Sequence, residues 1–147
     1  MAKVGIFSQS PRKWFLFDED TEVELEYIDK ERLRKLLVKA DDGAKKIGEK
    51  SNVIFDILLG KTTVHGWRKV DDPTAPGLAF PDGTPLYFSD ENRNLMMRRC
   101  EEFGAFVYRT ATISRNFLPD VESVVTIDPK LLDDFLSELD DEQPSKN

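Results

Sequence analysis

The hydrophobic and polar positions near the start of the chain alternate as a half-buried β-strand requires. Val23, Leu25 and Tyr27 alternate with three glutamates, and this period of two places apolar side chains on one face and acidic ones on the other. The apolar run KWFLF, residues 13–17, precedes them across a polar turn. The pattern predicts a β-hairpin over residues 13–28. The helix that follows is its expected support, because a lone hairpin is marginally stable in water.

Helical spacing begins directly after this hairpin. Asp29 is a good N-cap residue, and apolar residues recur at intervals of three and four up to Ala40, which predicts a first helix ending there. The polar residues 41–51 are typical of a linker. Asn52 is expected to cap a second helix, whose apolar side chains surround most of its circumference and predict burial on more than one side. The helical pattern weakens over residues 62–66.

A long irregular segment separates this part of the chain from the next helix. Residues 68–88 are rich in proline, glycine and aspartate, which predicts a loop with a tight turn at Asp82-Gly83. Trp67 and Phe88 flank the loop. We expect both rings to be buried and to tie the loop to the third helix.

The third predicted helix is the longest. Ser89 can cap its start, where Asp90 and Glu91 suit the positive end of the helix dipole, and Pro119 ends it. One face carries a stripe in steps of four and three: Met96, Cys100, Phe103, Val107, Thr110, Ser114 and Phe117. The pattern therefore predicts one continuous buried face, with Cys100 in the middle of it.

A last helix is predicted near the end of the chain. Asp128 can cap it, and Pro129 suits its first position because the missing N–H costs nothing there. Its apolar face consists of Leu131, Leu132, Phe135, Leu136 and Leu139. This face must pack either on the rest of the chain, which base rates favour, or on a partner in helix-in-groove fashion. We take these five residues as candidate partner-binding residues.

Together these elements predict an α+β protein that is mainly helical. An N-terminal β-hairpin packs on a small bundle of about three helices, and an acidic C-terminal helix follows. Residues 1–118 are expected to form a single globular domain, and residues 119–147 a separate acidic helix and tail.

The charge distribution supports this division of the chain. The 147 residues carry a formal net charge of −7. Residues 1–118 hold 19 basic and 19 acidic side chains, whereas residues 119–147 hold 2 basic and 9 acidic ones. The overall acidity argues against a general nucleic-acid binder, which needs a basic face to displace counterions. The net charge of the protein thus belongs to the C-terminal segment.

Several protein classes are disfavoured by composition. One cysteine rules out a disulfide framework within the chain and a Cys-rich zinc site, and fits a reducing compartment. No apolar run approaches the roughly 18 residues of a membrane span, and the first residues lack the apolar stretch of a secretory signal. The sequence therefore predicts a cytoplasmic protein without membrane contact.

The candidate catalytic chemistry is sparse. His65 is the one imidazole, so a packing or capping role is expected for it, and Cys100 is expected to behave as a small buried hydrophobe. The acidic loop region 71–91 carries five carboxylates that could hold a divalent cation: Asp71, Asp72, Asp82, Asp90 and Glu91. A small metal-dependent enzyme using Asp71, Asp72, Asp82 and His65 is the weakest alternative. Turn chemistry and helix capping already explain much of the cluster, and we predict no catalytic residue, cofactor or metal.

The first predicted helix carries a basic face. Arg32, Lys35 and Lys39 on this face are further candidate partner-binding residues. The face could meet the acidic side of the hairpin, the acidic C-terminal helix, a polyanion or water, and a solvated face is the default. No aromatic residue interleaves with these charges, which weakens nucleic-acid binding further.

The order of features over about residues 20–118 resembles that of the tail assembly chaperones of long-tailed phages and prophages. The hairpin ends in EVELEYID, and a charged helix with ERLRKLL follows. An apolar helix then leads into VHGWRKV (Val64–Val70), and PLYFSDEN (Pro85–Asn92) precedes the helix LMMRRCEEFGAFV (Leu95–Val107). In that family W-[KR]-G and G-x-P-x-x-F-[ST]-x-E-N recur before a long helix. Here Lys69 stands where glycine is usual, and the loop up to Gly83 is long.

The resemblance implies a non-catalytic binding protein. Such chaperones coat the tape measure protein, keep it soluble and help to recruit tail tube protein, and they act in the host cytoplasm and are not expected in the mature virion. Modest affinity per copy is expected, because the tube must later displace the chaperone, and many copies on one filament would supply avidity. A structural tail or connector component is the main alternative.

Overall fold

A computed structural model of the chain describes residues 1–119 and the isolated positions Asp134 and Ser137. The chain divides into two compact units, Met1–Phe117 and Leu118–Asn147. The first unit contains β1 (Arg12–Leu16), β2 (Thr21–Glu26), α1 (Lys30–Ile47), α2 (Ser51–Thr63), β3 (Val64–Lys69), α3 (Asp90–Arg99), α4 (Glu101–Ala111) and a short 3₁₀ helix (Ser114–Phe117). The predicted α+β, mainly helical class is confirmed. The predicted C-terminal helix lies outside the described residues.

The three strands form one antiparallel sheet in the order β1-β2-β3. The hairpin is confirmed, and its alternation gives the expected result: Val23 and Leu25 are fully buried. β3 is absent from the sequence prediction, which treats residues 62–66 as the weakening end of a helix. Trp67 on β3 lies opposite Val23 in the register, so the third strand completes the buried face of the sheet.

The first helix is longer than predicted. Asp29 caps it as expected, since its side chain accepts a hydrogen bond from the N–H of Arg32 at 2.8 Å. The helix runs through the predicted linker to Ile47, because Ala40 and Ala44 continue its buried face at a spacing of four. A glycine with a φ of 78° then ends it. α1 packs chiefly on α2. The prediction that α1 is the main support of the hairpin is wrong, because the sheet packs mainly on α2 and α4.

The second helix begins two residues earlier than predicted. Its N-cap is Lys50, which makes no side-chain cap hydrogen bond, and Asn52 is exposed in the first turn. α2 contacts α1, α3, α4 and β3, which confirms the prediction of burial on more than one side. It lies close to α3 at Gly60, where an added Cβ atom would overlap with Met97 Cγ.

The third predicted helix is broken into two α-helices. Ser89 caps the first of them, accepting from the N–H of Asn92 at 3.0 Å. Cys100 has an extended conformation (φ −102°, ψ 100°) that ends α3 and starts α4. The stripe is therefore not continuous, and Cys100 is half-buried rather than fully buried. Phe103 and Val107 on α4 are fully buried in the core.

The core lies between the inner face of the sheet and helices α2 to α4. Its largest fully buried side chains are Phe103, Leu25, Ile28, Leu59, Val23, Val64 and Val107. Among the helices in the described part of the chain, none combines the length and the apolar character needed to cross a membrane.

Candidate partner-binding groove

An apolar groove of about 470 Å³ opens on the surface between the long loop and the α3–α4 junction. The loop side of the groove is formed by Leu78, Phe80 and Leu86, and the helix side by Leu95 and Met96. A larger depression of about 630 Å³ near the start of α1 is more polar, with several charged side chains among its lining residues. The smaller groove is therefore the better receptor for apolar side chains.

The loop wall is a tight hairpin over residues 78–86. The N–H of Leu86 donates to the carbonyl of Leu78 at 2.9 Å, and the N–H of Phe80 donates to the carbonyl of Thr84 at 2.8 Å. Gly83 stands at its tip with a φ of 91°, which glycine adopts without steric cost. The predicted turn at Asp82-Gly83 is thus confirmed, and it places Phe80 at the edge of the groove with 37% of its surface exposed.

The residues that carry the family resemblance hold this wall in place. The indole Nε1 of Trp67 donates to the carbonyl of Leu86 at 2.9 Å, and the Trp67 ring packs edge-on against Phe88 at 5.0 Å. The side-chain amide Nδ2 of Asn92 donates to the carbonyl of Tyr87 at 2.8 Å. Trp67 is buried as predicted, whereas Phe88 is half-buried. These contacts tie the segment from Leu86 to Asn92 to the sheet and to the first turn of α3.

The break between α3 and α4 shapes the opposite wall. Leu95, Met96 and Cys100 line the groove at the end of α3, where the chain becomes extended. Arg99 and Glu102, both exposed, stand on the rim on either side of the break. The groove thus combines an apolar interior with one charge of each sign at its edge.

The basic residues predicted on α1 are divided between two roles. Arg32 is engaged within the domain: its Nη1 lies 2.7 Å from Ser10 Oγ and 3.1 Å from Glu26 Oε2. It therefore meets the acidic side of the hairpin, one of the open alternatives. Lys35 and Lys39 are exposed on α1 and belong to no wall of the groove.

His65 shares the same acidic partner. Its Nε2 lies 2.9 Å from Glu26 Oε1, and Arg12 approaches the same carboxylate at 3.4 Å. A structural role agrees with this geometry, because Arg12, Arg32 and His65 all contact Glu26 on the outer face of the sheet.

The predicted partner-binding residues of the C-terminal helix lie outside the described residues. These are Leu131, Leu132, Phe135, Leu136 and Leu139. Their role stays a prediction from the sequence.

Two aspartates of the acidic loop, Asp72 and Asp82, accept hydrogen bonds that stabilise turns. Asp72 Oδ1 accepts hydrogen bonds from the side chain and the backbone of Thr74, which lower the pKa of Asp72. Asp82 accepts from the N–H of Thr84 at 2.9 Å, which likewise lowers the pKa of Asp82. Within residues 1–119, Asp134 and Ser137, no three His, Cys, Asp or Glu side chains are placed to hold a metal ion together.

The groove residues Phe80 and Leu95 are absent from the residues predicted by sequence. One signal was available for Phe80, since it is a large apolar side chain inside a polar, proline-rich loop. No such signal marks Leu95, whose position in the groove depends on where α3 ends.

No protein-family model matches the chain, and neither a curated protein nor a solved structure matches it.

Proposed function

We propose that this protein is a non-catalytic tail assembly chaperone of a long-tailed phage or prophage. It binds the tape measure protein in the host cytoplasm, keeps it soluble and helps to recruit tail tube protein around it. The observation that carries the proposal is that segments of the family resemblance support an exposed apolar groove: Trp67 anchors Leu86 of the loop wall, and Leu95 and Met96 belong to the helix wall. The resemblance and the candidate binding surface thus overlap in part.

The chemistry of the groove fits an amphipathic helix as its ligand. A tape measure protein exposes long apolar surfaces before the tube encloses it, and such surfaces promote aggregation. The groove has a volume of about 470 Å³. It accepts a few apolar side chains from one helix face, while Arg99 and Glu102 on the rim can pair with charges beside them. Each copy then binds modestly, and many copies along one filament bind firmly.

Co-expression with the tape measure protein of the same genome tests the proposal. Wild-type protein should raise the soluble fraction of that partner and co-purify with it. Phe80→Glu places a charge at the edge of the groove and should abolish both effects. Val38→Glu is the matched control, because Val38 is 61% exposed on α1, outside the groove, and it should behave as wild type.

Two outcomes would contradict the proposal. If wild-type protein neither solubilises nor co-purifies with the tape measure protein, the chaperone function is wrong. If Val38→Glu abolishes binding and Phe80→Glu does not, the groove is the wrong surface. Mass spectrometry of purified virions addresses the structural alternative, since a chaperone should be absent from them and a tail or connector subunit present.

A further inference from the structure

A second surface lies at one edge of the sheet, on β1. The N–H of Tyr27 donates to the carbonyl of Pro11 at 2.9 Å. This hydrogen bond sets the phase of the antiparallel ladder, and so determines which backbone groups of β1 point toward β2. Because hydrogen-bonded pairs alternate along such a ladder, the backbone groups of Arg12, Trp14 and Leu16 point away from β2. These groups have no hydrogen bond to any other residue in the described part of the chain.

A shallow groove of about 420 Å³ runs beside this edge. Phe15 and Leu16 line it from β1, Phe106 lines it from α4, and Ile113 follows at the end of α4. Leu16 is 63% exposed and Ile113 is 45% exposed. A strand added to the edge would place alternate side chains over this apolar floor, because successive side chains of a strand point to opposite faces.

The charges around this groove select the kind of strand that fits. Arg109 lines it, and the described lining residues include no acidic side chain. Lys13, two residues before Phe15 on the same face of β1, reaches to 3.5 Å from the carbonyl of Asn116 on the groove wall. An incoming strand thus meets an apolar surface opposite Phe15 and positive charge opposite Lys13.

We propose that the edge of β1 binds an extended segment of a partner protein as a fourth strand. The segment carries apolar residues at alternate positions and an acidic residue at the next position of the same face. Backbone hydrogen bonds to Arg12, Trp14 and Leu16 supply affinity, and the groove selects the side chains, as in other cases of strand addition. This site is distinct from the apolar groove that lies beside the long loop. The proposal of strand addition does not depend on the chaperone proposal.

A peptide titration of the full-length protein tests the site. The probe is the capped heptapeptide TVTVTET, whose valines and glutamate share one face of the extended chain. Its binding is monitored through the backbone amide signals of residues 12–16 in NMR spectra of the protein. In antiparallel pairing the amide of its fifth residue meets β1, whereas that of its fourth residue points away. N-methylation at the fifth residue should weaken binding about tenfold or more, and at the fourth within about twofold.

Two further comparisons examine charge and the protein side of the contact. TVTVTKT should bind more weakly than TVTVTET. Leu16→Pro removes an N–H that does not pair with β2 and should abolish peptide binding, whereas Leu16→Ala keeps the N–H and should reduce binding only partly. If Leu16→Pro fails to fold, the two N-methylated peptides still decide the question.

Three results would overturn the proposal. The first is the absence of saturable shifts at residues 12–16, and the second is equal binding of both N-methylated peptides. The third is a dimer of the full chain in sedimentation that Leu16→Pro converts to a monomer, because a second copy would then occupy the edge.

Discussion

At the scale of single residues, Trp67 connects the sheet to the apolar groove. Its ring packs edge-on against Phe88 at 5.0 Å and Phe103 at 5.7 Å, and its Nε1 donates to the carbonyl of Leu86 at 2.9 Å. Only 5% of its surface is exposed. Such a position combines a large apolar burial with a satisfied polar group, which is how a buried tryptophan is usually accommodated.

Replacement of Trp67 should therefore be costly. Trp67→Ala should lower the free energy of unfolding by about 3–5 kcal/mol, measured by urea denaturation with circular dichroism. Trp14→Ala is the matched control, because Trp14 is half-exposed and mainly stacks on the guanidinium of Arg68 at 3.7 Å, and it should cost about 1 kcal/mol. A loss below about 1 kcal/mol for Trp67→Ala would contradict its burial in the core.

Asp56 on α2 gives a pH-dependent prediction. Burial raises the pKa of this carboxyl above its ordinary value of 3.8, so the folded state binds more protons than the unfolded state just above that pH. Stability is therefore lost as the pH rises from about 3.8 through the folded-state pKa. Asp56→Asn should be modestly more stable than wild type at pH 7, and the difference in thermal midpoint should shrink below about pH 4. A difference that does not change with pH would contradict this.

Single residues were predicted from the sequence best where a local rule decides their role. The caps Asp29 and Ser89 make the expected backbone hydrogen bonds, because capping depends on neighbours three residues away. The partner of Arg32 could not be decided, since Glu26 and the C-terminal acids offer the same chemistry. Its contact with Glu26 depends on how the hairpin turns toward α1.

At the scale of elements, the break between α3 and α4 is the main departure from the sequence prediction. The periodic stripe suggests one helix, and no proline or glycine marks the break. One signal is present, however: basic Arg98 and Arg99 end α3, while acidic Glu101 and Glu102 begin α4. These charges complement the dipoles of a helix end and of a helix start, as Lys45 and Lys46 do at the true end of α1.

The absence of β3 from the sequence prediction has a different cause. Val64–Lys69 is short, and the residues Thr62-Thr63-Val64 at its start are compatible with either a fraying helix or a strand. Pairing with β2 decides between them, and that pairing joins residues about 40 positions apart, such as Val23 and Trp67. Local pattern carries no information on such a contact.

The crossing of α2 and α3 yields a prediction on glycine. Gly60→Ala would place its Cβ in steric overlap with Met97 Cγ, so the Met97 side chain or one of the two helices must shift, and the free energy of unfolding should fall by about 1–3 kcal/mol despite the better helix propensity of alanine. Gly104→Ala on α4 is the matched control, because its nearest neighbour would be a carbonyl at 3.8 Å. It should be neutral or stabilising by up to about 1 kcal/mol. Urea denaturation measures both, and equal effects would contradict the close crossing.

At the scale of the whole molecule, the apolar groove forms only when distant segments of the chain fold together. Phe17 follows β1, Phe80 belongs to the loop, Met96 lies on α3 and Glu102 on α4. No window of the sequence contains these residues together, so their convergence could not be predicted even though most of the elements could. The net charge of −7 belongs to residues 119–147 and therefore gives no guide to what this neutral domain binds.

The central proposal is that the groove receives an apolar helix face of the tape measure protein. Hydrogen–deuterium exchange of the chain, free and in the purified complex, tests this most directly. Exchange should slow in residues 78–86 and 95–102, which form the two walls, and stay unchanged along the exposed face of α1. Slower exchange confined to α1, with no change in either wall of the groove, would contradict the proposal.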